Sequence, residues 1–152
     1  MAFAKLSLKG RALRLLSLRE HSRAELERKL GPYEEEPGSL AIALDDLQAK
    51  GFISESRVLE SVIHRRAAKL GLTRIRHELQ GKGLDSRLIS QAMTGLRGSE
   101  FERAREVWRK KFGSSPDTPE AMARQARFLT ARGFTAEVVQ RVLRSAGADD
   151  AD

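Results

Sequence analysis

The chain has 152 residues, 40% of them hydrophobic, 32% charged and none of them cysteine. That length suits one core or a short row of packed helical units, and the composition excludes wholesale disorder, a disulfide framework, a thiolate metal site and a cysteine nucleophile. A formal net charge of +7 and an isoelectric point near 10.2 point to an anionic partner: nucleic acid, an acidic protein surface or anionic lipid.

Helix-favouring Leu, Arg, Ala, Glu and Lys recur throughout, and no stretch alternates with a period of two, so no sheet is expected. Residues 1–11 carry Lys5 and Lys9 but lack the apolar run of about 7–15 residues that marks an export signal. No later stretch reaches the roughly 18 uninterrupted apolar positions of a membrane span. A cytoplasmic protein with no membrane partner is the expectation.

In chain order, capping signals bracket nine helices, over 9–20, 23–30, 39–50, 55–70, 74–82, 86–97, 100–112, 119–132 and 136–146. Ser22-Arg23-Ala24-Glu25 and Ser99-Glu100-Phe101-Glu102 have the capping-box pattern, in which a hydroxyl and a carboxylate reciprocally satisfy free backbone N–H groups. Ser54, Thr73, Asp85 and Thr135 stand at single N-cap positions, and Thr118-Pro119 places proline on the first helical residue. Gly31, Gly51, Gly71, Gly83, Gly98, Gly113, Gly133 and Gly147 each follow an amphipathic stretch, where a left-handed cap ends a helix.

The apolar phases repeat along the chain. Glu78-Leu79-Gln80-Gly81-Lys82-Gly83-Leu84 recurs 50 residues on as Phe128-Leu129-Thr130-Ala131-Arg132-Gly133-Phe134, and each is followed by a helix of the same phase. Glu25 to Leu30 matches the same helix 53 residues upstream, before an insertion that carries Glu34, Glu35 and Glu36. The expected fold is all-α: three tandem three-helix repeats, over 9–50, 54–97 and 99–146, in an elongated, curved array, with a frayed acidic tail over 147–152.

Charge breaks the symmetry of the repeats. Residues 51–98 hold nine Lys or Arg against four Asp or Glu, a net +5, whereas the flanking segments carry +1 each. Arg57, Arg65, Arg66, Lys69, Arg74, Arg76 and Lys82 fall on two successive helices and form a candidate binding surface for anions. Arg109, Lys110 and Lys111 make a second basic run, at a helix end whose dipole attracts cations in any case.

Catalysis finds little support. His21, His64 and His77 are dispersed, with no metal-ligand spacing, and Asp45 and Asp46 are adjacent on a helix and point roughly 100° apart. Gly81-Lys82-Gly83 lacks the longer glycine-rich pattern that cradles phosphates. Phe52, Phe101, Trp108, Phe112, Phe128 and Phe134 fall on core phases or at helix stops and not on a base-stacking platform. No catalytic residue, cofactor or metal is assigned.

Lys50-Gly51-Phe52-Ile53-Ser54-Glu55-Ser56-Arg57, followed by Arg65-Arg66-Ala67-Ala68-Lys69-Leu70-Gly71 and Arg74-Ile75-Arg76-His77-Glu78-Leu79-Gln80-Gly81-Lys82-Gly83-Leu84, resembles the RecX regulatory proteins of bacterial recombination. Leu129 to Phe134 and Val142-Leu143 are similar to that family's closing repeat, and the resemblance spans about residues 9–146. Val58-Leu59, where the family favours an aromatic residue and then alanine, and the insertion at Glu34–Glu36 depart from its pattern. The resemblance implies a monomeric, non-enzymatic inhibitor of the RecA recombinase. Such a protein binds the RecA filament on DNA and limits ATPase, strand-exchange and coprotease activity. The ten basic residues above would then face the filament or DNA phosphates.

Two other readings fit the charge. A direct, largely nonspecific DNA-binding protein of tandem three-helix units would resemble Myb-like repeats, which need regularly spaced tryptophans where this chain has only Trp108. A helical-repeat scaffold would use its charge only for solubility.

Overall fold

The computed structural model describes residues 5–151; Met1–Ala4 and Asp152, the last residue of the expected tail, lie outside the described residues. Every regular element among them is helical: α1 (Leu8–Leu18), α2 (Arg23–Leu30), a 3-10 turn (Gly31–Tyr33), α3 (Ser39–Ala49), α4 (Glu55–Arg66), α5 (Leu72–Gly81), α6 (Ser86–Lys111), α7 (Pro119–Ala131) and α8 (Ala136–Ala151).

Local caps explain most of the starts. Ser22 and Glu25 form a complete capping box at α2, and Ser54, Asp85 and Thr118 accept backbone N–H bonds at the starts of α4, α6 and α7. The Thr135 hydroxyl accepts from Val138 N–H at the start of α8. Ser7 caps α1 in the same way.

Three apolar clusters follow from the repeating phase. Ala12, Leu26, Leu30, Leu40, Leu44, Leu47 and Ile53 build the first, from α1 to α3. Val58, Val62, Leu72, Ile75, Leu79, Ile89 and Met93 build the second, from α4, α5 and the first half of α6. Ala104, Trp108, Leu129, Phe134, Val139, Val142 and Leu143 build the third, from the second half of α6 with α7 and α8. Each cluster is the shared interior of one three-helix unit.

Several expectations change, and among the glycines Gly31, Gly71, Gly98 and Gly147 do not adopt the left-handed conformation. The helices expected over 86–97 and 100–112 are one continuous helix, α6, so eight α-helices are present among the described residues. The second capping box does not form: Ser99 lies inside α6, where its hydroxyl donates to Leu96 C=O, and Glu102, at the carboxylate position of the box, is exposed. The neighbouring Glu100 is buried and accepts from Thr135 N–H. Thr73 is not a cap either, because α5 starts two residues earlier at Leu72 with Gly71 as N-cap. There the free N–H groups of Gly71 and Thr73 bond to Arg132 C=O and Gly133 C=O, at 2.8 and 3.0 Å. Finally, Phe52 is exposed: after Gly51 turns the chain left-handed, Ile53 takes the core position in its place. The tail is helical to Ala151, and Asp149 pairs with Arg105 at 2.9 Å.

The second helix of each unit stands in a head-to-tail column. The C-terminal carbonyls of α7 meet the N-terminus of α5, and the C-terminal Lys82 C=O of α5 accepts from the Ser22 hydroxyl at the N-terminus of α2. Partial negative and positive helix ends therefore face one another at both junctions.

Candidate functional site

The basic residues of the middle unit divide by what already holds them. Arg57 on α4 pairs with Glu20 at 2.8 Å and donates to Gly51 C=O at 2.7 Å, tying the first unit to the second. Arg66 pairs with Glu78 at 3.1 Å and closes α4 onto α5. Arg74 donates to Ala131 C=O at 2.9 Å across the second junction. Lys82 is largely buried and lies 3.3 Å from Glu25 of the first unit. These four cations stand within the architecture, each with an acceptor from another element.

Arg65, Lys69 and Arg76 are exposed, with no carboxylate partner among the described residues. Arg65 donates only to Ser61 C=O of its own helix, at 3.3 Å. Arg76 borders an open groove of about 280 Å³ with Gln80, Leu84, Ser86, Ile89 and Ser90. On α6, Arg109 chelates Glu106 at 2.6 and 2.9 Å, and Lys110 lies 3.9 Å from the same carboxylate. The hydrogen bond from Arg109 holds the Glu106 carboxyl below its ordinary range. Lys111 stands 5.5 Å from the centre of the Phe128 ring. All three side chains remain exposed at the end of α6.

At the first junction a polar network surrounds the Ser22–Glu25 capping box, and its long-range member, Lys82, has no signature in the sequence. Glu25 accepts from Arg19 at 2.7 Å, from Ser22 N–H at 3.1 Å and from Lys82 at 3.3 Å. Burial alone would raise its carboxyl, but Arg19, the Ser22 amide and Lys82 together lower it to about 2. Beside it the buried His21 bonds to Arg19 C=O through Nδ1 and faces Lys29 Nζ through Nε2, at 3.2 Å. Burial lowers its pKa and favours the neutral ring, with Nδ1–H donating and Nε2 accepting.

At the second junction Arg103 donates to Ala67 C=O and Leu70 C=O, both at 2.8 Å, closing the end of α4 from the third unit. Burial lowers its pKa. In the sequence it is one more arginine on an amphipathic helix, and nothing local distinguishes it. Among the described residues no three His, Cys, Asp or Glu side chains form a metal-binding group, and no helix is long and apolar enough to cross a membrane.

Comparison with known proteins gives this geometry its context. Family models described as the second and third three-helix domains of RecX match residues 54–93 and 99–143. The regulatory protein RecX of Leptothrix cholodnii is 54% identical over 142 residues, 93% of this chain and 90% of that protein. Its counterpart in Herminiimonas arsenicoxydans is 44% identical over 95% of this chain and 96% of its own length. A crystal structure of RecX from Lactobacillus salivarius superposes with a TM-score of 0.74 at 17% identity, covering 93% of this chain and 95% of that one. A second RecX crystal structure gives 0.73 at 22% identity, over 89% and 70%. Those two agree in fold; the close relatives agree in sequence from end to end. Eight helices among the described residues, in three polar-jointed units matched along their length by regulatory RecX proteins, place the chain in the RecX family.

Proposed function

We propose that this protein restrains the RecA recombinase by binding the RecA filament on DNA, limiting its ATPase, strand-exchange and coprotease activities without chemistry of its own. The observation that carries this reading is the 54% identity to a regulatory RecX protein over 93% of the chain. The exposed cations Arg65, Lys69 and Arg76 of the middle unit, with Arg109–Lys111, are the side chains available for phosphates or acidic recombinase residues. Arg57, Arg66, Arg74 and Lys82 act indirectly, by holding the units in register.

A DNA-dependent ATPase assay of the cognate recombinase, titrated with substoichiometric amounts of this protein, tests the reading. Dose-dependent inhibition is expected, and no effect over a broad titration overturns it. Reversing Arg65 and Lys69 together, Arg65→Glu with Lys69→Glu, should weaken inhibition about tenfold or more while keeping the fold, at a stability cost of no more than about 1–2 kcal/mol from acidic groups at the end of α4, since neither side chain holds another element. The charge of +7 also favours direct phosphate binding. In that case affinity for free duplex DNA falls with salt by about one log–log slope unit per phosphate contacted.

A further inference from the structure

Each apolar cluster lies within one unit, so the units are joined by polar groups and backbone, and the two junctions differ in kind. Between the second and third units the chain continues through α6 as one helix. Two backbone bonds cross this junction, from Gly71 and Thr73 to Arg132 and Gly133. A methyl group added at Gly71 would stand 2.4 Å from the Gly133 backbone, so the two strands of chain are in direct contact. Arg103 adds bonds to Ala67 and Leu70. Rotation here would strip backbone groups of partners with nothing to replace them.

The first junction has a different construction. Residues 50–54 connect the units, with Gly51 at φ +83° between α3 and α4. Among the described residues, no backbone-to-backbone hydrogen bond crosses from the first unit to the second. Side chains make the connection: Ser22 Oγ to Lys82 C=O at 2.6 Å, Lys82 Nζ to Glu25 at 3.3 Å, Arg28 to Gly81 C=O at 3.1 Å and Arg57 to Glu20 at 2.8 Å. Arg28 and Arg57 are exposed, and water replaces their bonds readily. Glu25 has two further partners, Arg19 and the Ser22 amide, within its own unit. Separation therefore leaves no buried carboxylate without a donor, which removes the main cost of breaking such a pair.

We propose that the first unit is an arm hinged at residues 50–54 on a rigid body made by the second and third units, and that Lys82 is the latch that holds it closed. Lys82 serves twice, through its ammonium on Glu25 and its carbonyl on Ser22. Salt screens the exposed Arg57–Glu20 pair that steadies the closed arm, whereas the largely buried Lys82–Glu25 pair is screened much less. The arm therefore loosens with salt and opens further when the Lys82 ammonium is removed.

The absence of cysteine allows introduced pairs to be spin-labelled cleanly. Ala49→Cys with Gln91→Cys reports across the hinge, and Gln91→Cys with Gln140→Cys reports within the body; all three positions are exposed. Distance distributions are measured at low and high salt, with and without Lys82→Met. The 91/140 distribution should stay narrow throughout, and unchanged helical circular dichroism with protected amides in α1–α3 certifies that the first unit stays folded in each variant. The 49/91 distribution should broaden or shift with salt and again with Lys82→Met. A 49/91 distribution as narrow as 91/140 and unmoved by either change overturns the hinge, and a 91/140 distribution that broadens alongside it overturns the rigid body.

Discussion

Glu25 shows how one side chain can carry a junction and a pH dependence together. Its carboxyl is held at about 2 against an ordinary 4.5, so the unfolded chain takes up this proton more readily than the folded one. The resulting stability is fully present above about pH 4.5 and is lost as pH falls toward 2, a contribution on the order of 3 kcal/mol. Urea titrations at pH 7 and pH 3 should show that loss, and Glu25→Gln should be less stable at pH 7 and show a flatter profile. His21 acts in the same direction at higher pH. Its folded pKa lies below 6.5, so its contribution is present above that value and declines as pH falls beneath it. At the other junction Gly71 is fixed by contact alone, since a Cβ there would collide with Gly133 backbone atoms at 2.4 Å. Gly71→Ala should cost at least about 2 kcal/mol by denaturant unfolding, without removing a single hydrogen-bonding group.

At the scale of elements, α6 is the main departure from the sequence reading. Gly95 and Gly98 lie inside this 26-residue helix, and an added methyl meets nothing within 4 Å at either. Gly95→Ala and Gly98→Ala should each raise stability by about 0.5–1 kcal/mol; destabilisation by either, in thermal or urea unfolding, would place a helix break there. The failed signal at Ser99 is instructive beside the one that worked at Ser22. Both have a hydroxyl followed three residues later by a carboxylate, Glu25 and Glu102, but Glu25 reaches back to Ser22 N–H, whereas Ser99 lies inside a continuous helix and its hydroxyl donates to Leu96 C=O. The same local pattern serves as a cap only where the chain turns and its backbone N–H groups are free. Thr73 is similar: its expected capping role disappears because α5 already starts at Leu72, and Ile75 N–H bonds to Gly71 C=O within the helix.

Across the whole molecule, three cores with polar joints imply uneven cooperativity. Leu44 is fully buried in the first cluster only, so Leu44→Ala, at a cost of about 2–5 kcal/mol, should speed amide exchange over residues 8–49 while 55–146 stay protected. Equal acceleration everywhere would show one cooperative unit instead. Met93→Ala should be less selective, because its helix runs on into the third core.

The all-helical class, the repeating apolar phase and the left-handed turns at Gly51, Gly83, Gly113 and Gly133 are legible in the sequence, because three- and four-residue spacing and local capping are properties of neighbouring residues. Which cations remain free is not. Lys82 and Glu25 are 57 residues apart, as are Arg74 and Ala131, and Arg57 meets Glu20 across 37. A basic helix face reads as one surface until folding brings those distant acceptors within about 3 Å, the range over which hydrogen bonds and ion pairs form. Only the tertiary structure separates the cations that hold the units together from Arg65, Lys69 and Arg76, which point into solvent.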